Sequence, residues 1–211
     1  MKELVVATRN RHKIREIRAI FGASKKWGLI FLDRYPDAPH PKETGKSFDA
    51  NALIKARAIA SHTGLPAIAD DSGLEVRALG GRPGVRSARF AGPRAKDGEN
   101  NRKLFRLLQK VLSSKRGARY RCSLALVFPD GRSYLFRGAL AGRIGLAPKG
   151  GNGFGYDPLF IVPRYGKTVA ELSSVLKNRI SHRAGAIRKL KRFLYSKSFS
   201  KRMSRVSRKR P

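Results

Sequence analysis

The chain reads as an α/β protein with a long antiparallel element. Apolar strand-like runs alternate with amphipathic helices through the first half, two long strand-like runs flank a Pro129-Asp130-Gly131 turn, and strand and helix alternate again near the end. No internal repeat interrupts this order.

Residues 4–8 (Leu-Val-Val-Ala-Thr) form a short buried strand. Residues 11–21 follow with Ile14, Ile17, Ile20 and Phe21 on one helical face. A second strand is expected at 28–32, then a loop rich in Pro and charge that ends at Glu43-Thr44-Gly45-Lys46. Ser47 can cap the next helix, in which Phe48, Ala52 and Ile59 face inward while Asn51 and Lys55 share another face. The third strand covers 66–69, and a third helix over 98–112 buries Leu104, Leu107, Leu108 and Val111. Residues 119–128 and 133–144 make the hairpin. A glycine-rich stretch at 150–155 precedes a strand at 158–162 and a short helix at 169–173, and a final helix carries Ile187, Leu190, Phe193 and Leu194.

At 211 residues the chain can bury a full core without a disulfide or metal staple. The single Cys122 lies in an apolar run and reads as a buried strand residue of a reducing compartment rather than a catalytic thiol. No leader-like segment or membrane-length apolar stretch is present, which places the protein in the cytoplasm. Forty-seven Lys and Arg against 14 Asp and Glu give a net charge of +33, which points to an anionic ligand, nucleic acid, or both. From Arg188 to Pro211 there are eleven basic residues and no acidic one. Residues 1–195 are expected to form one domain and 196–211 a mobile basic tail. Such a tail contacts RNA or DNA phosphates, or is simply a solvated extension.

Residues 66–74 (Pro-Ala-Ile-Ala-Asp-Asp-Ser-Gly-Leu) deliver two carboxylates from a strand onto an Asp-Ser-Gly turn. By itself the segment reads as an ordinary turn. Adjacent residues of an extended segment point to opposite sides, so Asp70 and Asp71 should not share one task. Thr8 to Lys13 join the first strand to the first helix, where backbone N–H groups attract phosphate, Asn10 can cap the helix and Lys13 projects from its first turn. The glycine-rich stretch running into Tyr156-Asp157 supplies close backbone approach, the aromatic faces of Phe154 and Tyr156, and the Asp157 acceptor. Ser181-His182-Arg183, following Lys177, opens the last helix as a second anion-attracting terminus. Together these make a nucleotide-sized inventory.

Six ordered motifs then become specific: Thr8-x-Asn10-x-x-Lys13, Glu43-Thr44-Gly45, Asn51-Ala52-x-x-Lys55-Ala56, Ala69-Asp70-Asp71-Ser72-Gly73-Leu74, Gly153-Phe154-Gly155-Tyr156-Asp157-Pro158 and Ile180-Ser181-His182-Arg183. Over residues 2–194 the chain resembles the inosine triphosphate pyrophosphatase family, in its bacterial dITP/XTP pyrophosphatase form. The resemblance implies an elongated two-lobed mixed-sheet fold with a central nucleotide-binding groove, assembled as a homodimer. It implies hydrolysis of ITP, dITP and XTP to monophosphate and pyrophosphate, cleansing the nucleotide pool with Mg²⁺ as cofactor. Thr8, Arg9, Asn10, Arg11, His12 and Lys13 would hold the triphosphate, with Lys55 assisting. Glu43 and Asp71 would approach the metal, and Asp71 would also activate water. Ser72, Phe154, Gly155, Tyr156, Asp157, Lys177, His182 and Arg183 would bind the nucleotide.

Physical chemistry agrees, since cleavage between the α- and β-phosphates needs a metal, cations for the leaving pyrophosphate and a carboxylate beside the attacking water. Arg183 offers only donors, which match a purine O6 and mismatch the amino group of adenine. Two departures stand out: Ala50 replaces a Glu common in the family, and Val175-Leu176 replace an acidic pair before Lys177. The alternative is a nucleic-acid-binding protein on the same scaffold, using the basic tail with reduced or no catalysis.

Overall fold

The computed structural model describes residues 1–199. Its seven-stranded sheet has the order β2-β1-β3-β4-β5-β6-β7. Parallel pairing joins β1 (Lys2–Val6) to β2 (Trp27–Phe31) and to β3 (Ala67–Val76), and every later pairing is antiparallel. The later strands are β4 (Gly117–Val127), β5 (Ser133–Ile144), β6 (Phe160–Val162) and β7 (Lys167–Thr168). The expected hairpin is present, with Gly131 at φ 85° closing its turn.

Alternation along the strands sets two faces. Leu4, Val6, Ile68, Leu124 and Leu126 pack under α1 (Arg11–Phe21) and α5 (His182–Leu194). Val5, Ala7, Ala67, Ala69 and Ala125 pack under α2 (Phe48–Thr63) through Ala52, Ala56, Ile59 and Ala60. A further cluster surrounds the far ends of β3, β4 and β5 and includes Leu74, Val76, Tyr120, Ile144 and Phe160, with Leu104 and Leu108 of α3 (Asp97–Leu108). Two lobes therefore share three long strands.

The chain departs from its sequence-based reading in four places. The Asp-Ser-Gly segment is no turn, because β4 pairs with every residue of β3 from Ala67 to Val76 and keeps Asp70 to Gly73 extended. The third helix stops at Leu108, short of 112, and buries Leu104 and Leu108 but leaves Leu107 exposed. Buried Arg116 donates to the carbonyls of Leu108 (2.7 Å) and Val111 (3.0 Å) and takes the place of a further helical turn. The expected helix at 169–173 is a 3₁₀ turn, Val169–Glu171, followed by α4 (Ser174–Ile180), which Ser173 caps. Finally, Phe199 is buried against Trp27, Phe128 and Phe193, so core packing runs past residue 195. The rest of the expected tail, 200–211, lies outside the described residues.

Helix α5 sits on β5 where Gly138 has no side chain. A Cβ there would collide with the His182 carbonyl and lie 2.7 Å from the Ala186 nitrogen. Gly138→Ala is expected to cost about 3 kcal/mol, because a backbone cannot yield as a side chain can. An unchanged denaturation midpoint would disprove this close approach.

Candidate active site

Strand β1 stops at Val6, level with Ile68, whereas β3 continues for eight more residues. Beyond Ile68 that edge of β3 faces the Thr8 to Lys13 loop and the groove opens there, at the carboxyl end of the parallel strands. A cavity of about 380 Å³ occupies it. Thr8, Arg9, Asn10 and Lys13 line one wall, with Glu43, Lys55, Asp71 and Ser72 on the floor. Phe154, Gly155, Tyr156, Asp157, Lys177, His182 and Arg183 close the other side.

The two aspartates part as their positions dictate. Asp70 points under α1 and α5, where Lys13 Nζ lies 2.5 Å away and the Arg183 guanidinium 2.9 Å. Asp71 points toward α2, where Asn51 donates to its Oδ2 (3.3 Å) and Lys55 to its Oδ1 (3.1 Å). Lys13 and Lys55 also both donate to the Asp70 carbonyl, at 3.4 and 3.0 Å, from opposite sides of the strand.

Burial alone would raise the Asp70 carboxyl, but Arg183 and Lys13 hold it well below the carboxylate range. Burial raises Asp71, and Lys55 and Lys13 offset this only in part. A ¹³C-carboxyl NMR titration of the metal-free protein is expected to find Asp71 above the ordinary aspartate range and Asp70 below it. The opposite order would refute the assignment. By the same sign, the stability supplied by Asp70 is complete above about pH 4 and is lost as pH falls toward its depressed folded value.

Asn51 links two motifs. Its Oδ1 accepts from the Gly45 nitrogen (2.8 Å) while its Nδ2 holds Asp71, and a Cβ on Gly45 would lie 2.6 Å from that Oδ1. Glu43 is thereby brought to 2.8 Å from Lys55, and Arg89 approaches it at 3.9 Å. Burial pushes the Lys55 ammonium down, but Asp71 and Glu43 outweigh it and raise it overall. Lys55 has these partners without an acid at Ala50. Likewise Lys177 pairs with Glu16 (2.8 Å) and Asp157 (2.5 Å), so Val175 and Leu176 deprive it of nothing.

Glu16 is the residue that sequence reading missed. Facing inward from α1, it joins Lys177 to Arg183 Nη1, the latter at 2.5 Å. Arg183 is 1% exposed and also donates to Asp70 (3.0 Å) and Ser72 (2.8 Å). Most of its donors are thus engaged within the protein. Phe154 lies across these cations, 4.7 Å from Lys177 Nζ, and stacks on His12 at 5.0 Å.

Arg11, His12, Asp157 and His182 sit differently from the other expected site residues. Arg11 is exposed on the outer side of α1 and does not line the groove, because a helix turns about 100° per residue and Lys13 takes the inward direction. His12 reaches the site only as a backing for Phe154. Asp157 is no open acceptor: Lys177, Tyr120 (3.1 Å) and the Phe154 nitrogen (2.9 Å) occupy its oxygens. Its carboxylate folds back where a Cβ on Gly153 would stand, which explains that glycine at φ 83°. His182 is buried and stacked on Tyr120 at 4.8 Å, and burial together with Arg183 drives its pKa down and keeps the ring neutral. Its Nδ1 has no hydrogen-bond partner among the described residues.

No cluster of three His, Cys, Asp or Glu occurs among the described residues. Glu43 and Asp71 do converge on one point, the Lys55 ammonium, and a pair of hard oxygen donors suits a cation that keeps waters and phosphates as its other ligands. The donor set fits a hard divalent cation.

Fold and groove define a two-lobed α/β protein that sets Glu43 and Asp71 against Lys55, with Lys13 in the same groove. The Ham1 family pattern matches residues 4–193, and the chain belongs to that family. It is 51% identical to a dITP/XTP pyrophosphatase of Geobacter sulfurreducens, over 90% of this chain and 96% of the relative. A Geobacillus kaustophilus protein of the same name is 48% identical, over 90% and 93%. Among solved structures, a HAM1 protein from Coxiella burnetii superposes with a TM-score of 0.84 at 40% identity, covering 92% of this chain and 98% of the other. The Staphylococcus aureus Ham1 protein gives 0.82 at the same identity and coverage.

Proposed function

We propose that this chain hydrolyses the deaminated purine nucleotides ITP, dITP and XTP to monophosphate and pyrophosphate. The observation that carries the reading is the meeting of Glu43 and Asp71 on Lys55, beside Lys13, in a groove whose other wall is aromatic and cationic. Asp71, whose carboxylate lines the groove, takes the proton of the attacking water. Lys13 and Lys55 neutralise the departing pyrophosphate as the bond between α-phosphorus and bridging oxygen breaks. Glu43 and Asp71 would hold Mg²⁺, which when bound neutralises phosphate oxygens.

Asp70 does not touch the reacting atoms; it keeps Lys13 and Arg183 in place. The purine edge meets the donor that Lys177 and Arg183 each keep free of Glu16, Asp70, Ser72 and Asp157, while nearby carboxylates are already engaged. An oxo group at position 6 is matched and an amino group finds no acceptor, so adenine is rejected. Phe154 supplies the stacking face.

The proposal includes a cytoplasmic homodimer, as the resemblance implies, and native mass spectrometry checks the dimer. Among the described residues no helix is long and apolar enough to cross a membrane. Turnover of ITP, XTP, GTP and ATP with Mg²⁺ is the direct test. ITP and XTP are expected to lead ATP by at least about a hundredfold, with pyrophosphate released; equal ATP turnover or single-phosphate release refutes the reading. Chelation by EDTA is expected to abolish turnover and excess Mg²⁺ to restore it.

A further inference from the structure

We infer that the outer surface of α1 and α5 is a binding face for the phosphate backbone of nucleic acid, separate from the nucleotide groove. Both helices pack on the same side of the sheet, so their solvent sides form one surface. Arg11, Arg15 and Arg18 follow each other at four- and three-residue intervals along α1, and all three are exposed. At 1.5 Å per residue they form a row with spacings of about 6 and 4.5 Å. Arg188 and Arg192 repeat the four-residue interval on α5 and are also exposed.

The only acidic residue in α1, α4 and α5 is Glu16, which is buried and neutralised by Lys177 and Arg183. Nothing acidic on these helices offsets the exposed row. From α5 the sequence runs on into residues 200–211, where six of twelve are Lys or Arg and none is acidic.

The chemistry of the face selects the partner. Protein interfaces need a desolvated apolar centre, and membrane-surface helices need an outward apolar face. Here the apolar sides of both helices, with Ile17, Phe21, Ile187, Leu190 and Leu194, are buried against the sheet. What remains outward is rich in guanidinium, which pairs with phosphate oxygens in bidentate fashion. A phosphodiester backbone matches a repeated row of such groups without base contacts.

The test is fluorescence anisotropy of the full chain with a labelled 20-nucleotide RNA, the DNA of equal sequence and its duplex, each across a salt series. Arg18→Gln/Arg192→Gln is compared with Arg102→Gln/Arg106→Gln, an equal loss of charge from exposed positions on α3 in the other lobe. The α1/α5 pair is expected to weaken binding at least about tenfold at 0.1 M salt and to lower the salt slope on duplex by about 1.8, because two fewer phosphates are neutralised. The α3 pair should change affinity less than twofold. Hydrolysis of ITP by both variants should stay at the parent level, which certifies the fold and keeps this test apart from that of the enzymatic reading. The RNA and DNA arms say which backbone is preferred. Equal loss in both variants, no measurable binding at 0.1 M salt, or tighter capture by anionic vesicles than by any oligonucleotide would overturn the inference.

Discussion

Replacing Asp71 with Asn is expected to lower ITP hydrolysis by about a thousandfold while the protein stays folded and still binds nucleotide. The loss combines a missing base, for which about 10²–10⁴ is typical, with a weakened oxygen ligand. The fold should tolerate it because an amide keeps the volume and can still accept from Asn51, and Lys55 retains Glu43 and the Asp70 carbonyl. Single-turnover rates with ITP, alongside calorimetric binding of the monophosphate product, separate chemistry from affinity. A variant within tenfold of the parent would remove Asp71 from the reaction. Asp70→Asn should behave differently, since that side chain sits on the opposite side of β3 among Lys13, Arg183 and Cys122. It should cost stability as well as rate.

Arg183→Met should be the most damaging single change to stability, at about 3–5 kcal/mol. The guanidinium is buried between two carboxylates, and its removal leaves Asp70 and Glu16 facing each other with Lys13 and Lys177 as their remaining ion-pair partners. Adding Glu16→Gln to Arg183→Met should recover part of the loss by deleting one stranded charge. Denaturant midpoints of the two single variants and the double give the coupling directly; strict additivity would mean the ion pair does not exist in solution. Arg183→Lys keeps the charge but cannot span Asp70, Glu16 and Ser72 with one ammonium. It is expected to fold and to lose at least tenfold in preference for ITP over ATP.

The elements of this fold were legible wherever a local pattern decides them. Asn10, Ser47 and Ser181 cap α1, α2 and α5 as their positions suggest, and the hairpin turn falls where Pro129-Asp130-Gly131 stands. What stayed hidden depends on distant partners. Asp70-Asp71-Ser72-Gly73 has turn composition, but a strand fifty residues away holds it straight. Glu16 looks like a helix surface residue until α4 and α5 bring Lys177 and Arg183 to it. The chemistry of Arg183 was visible in its side chain, whereas its engagement by Asp70 and Glu16 was not. In Asp157 an acceptor was visible, but not that the lysine beside it already uses that acceptor.

The sharing of β3, β4 and β5 by both lobes has a consequence for how the molecule holds together. Each of these strands begins in one hydrophobic cluster and ends in another, so no cut in the chain releases one lobe with its own sheet intact. Neither half can serve as an independent folding module, and loss of packing around Tyr120 and Phe160 should be felt at once by Leu124 and Ile68. Calorimetry is therefore expected to show a single cooperative melting transition, and two resolved transitions would separate the lobes.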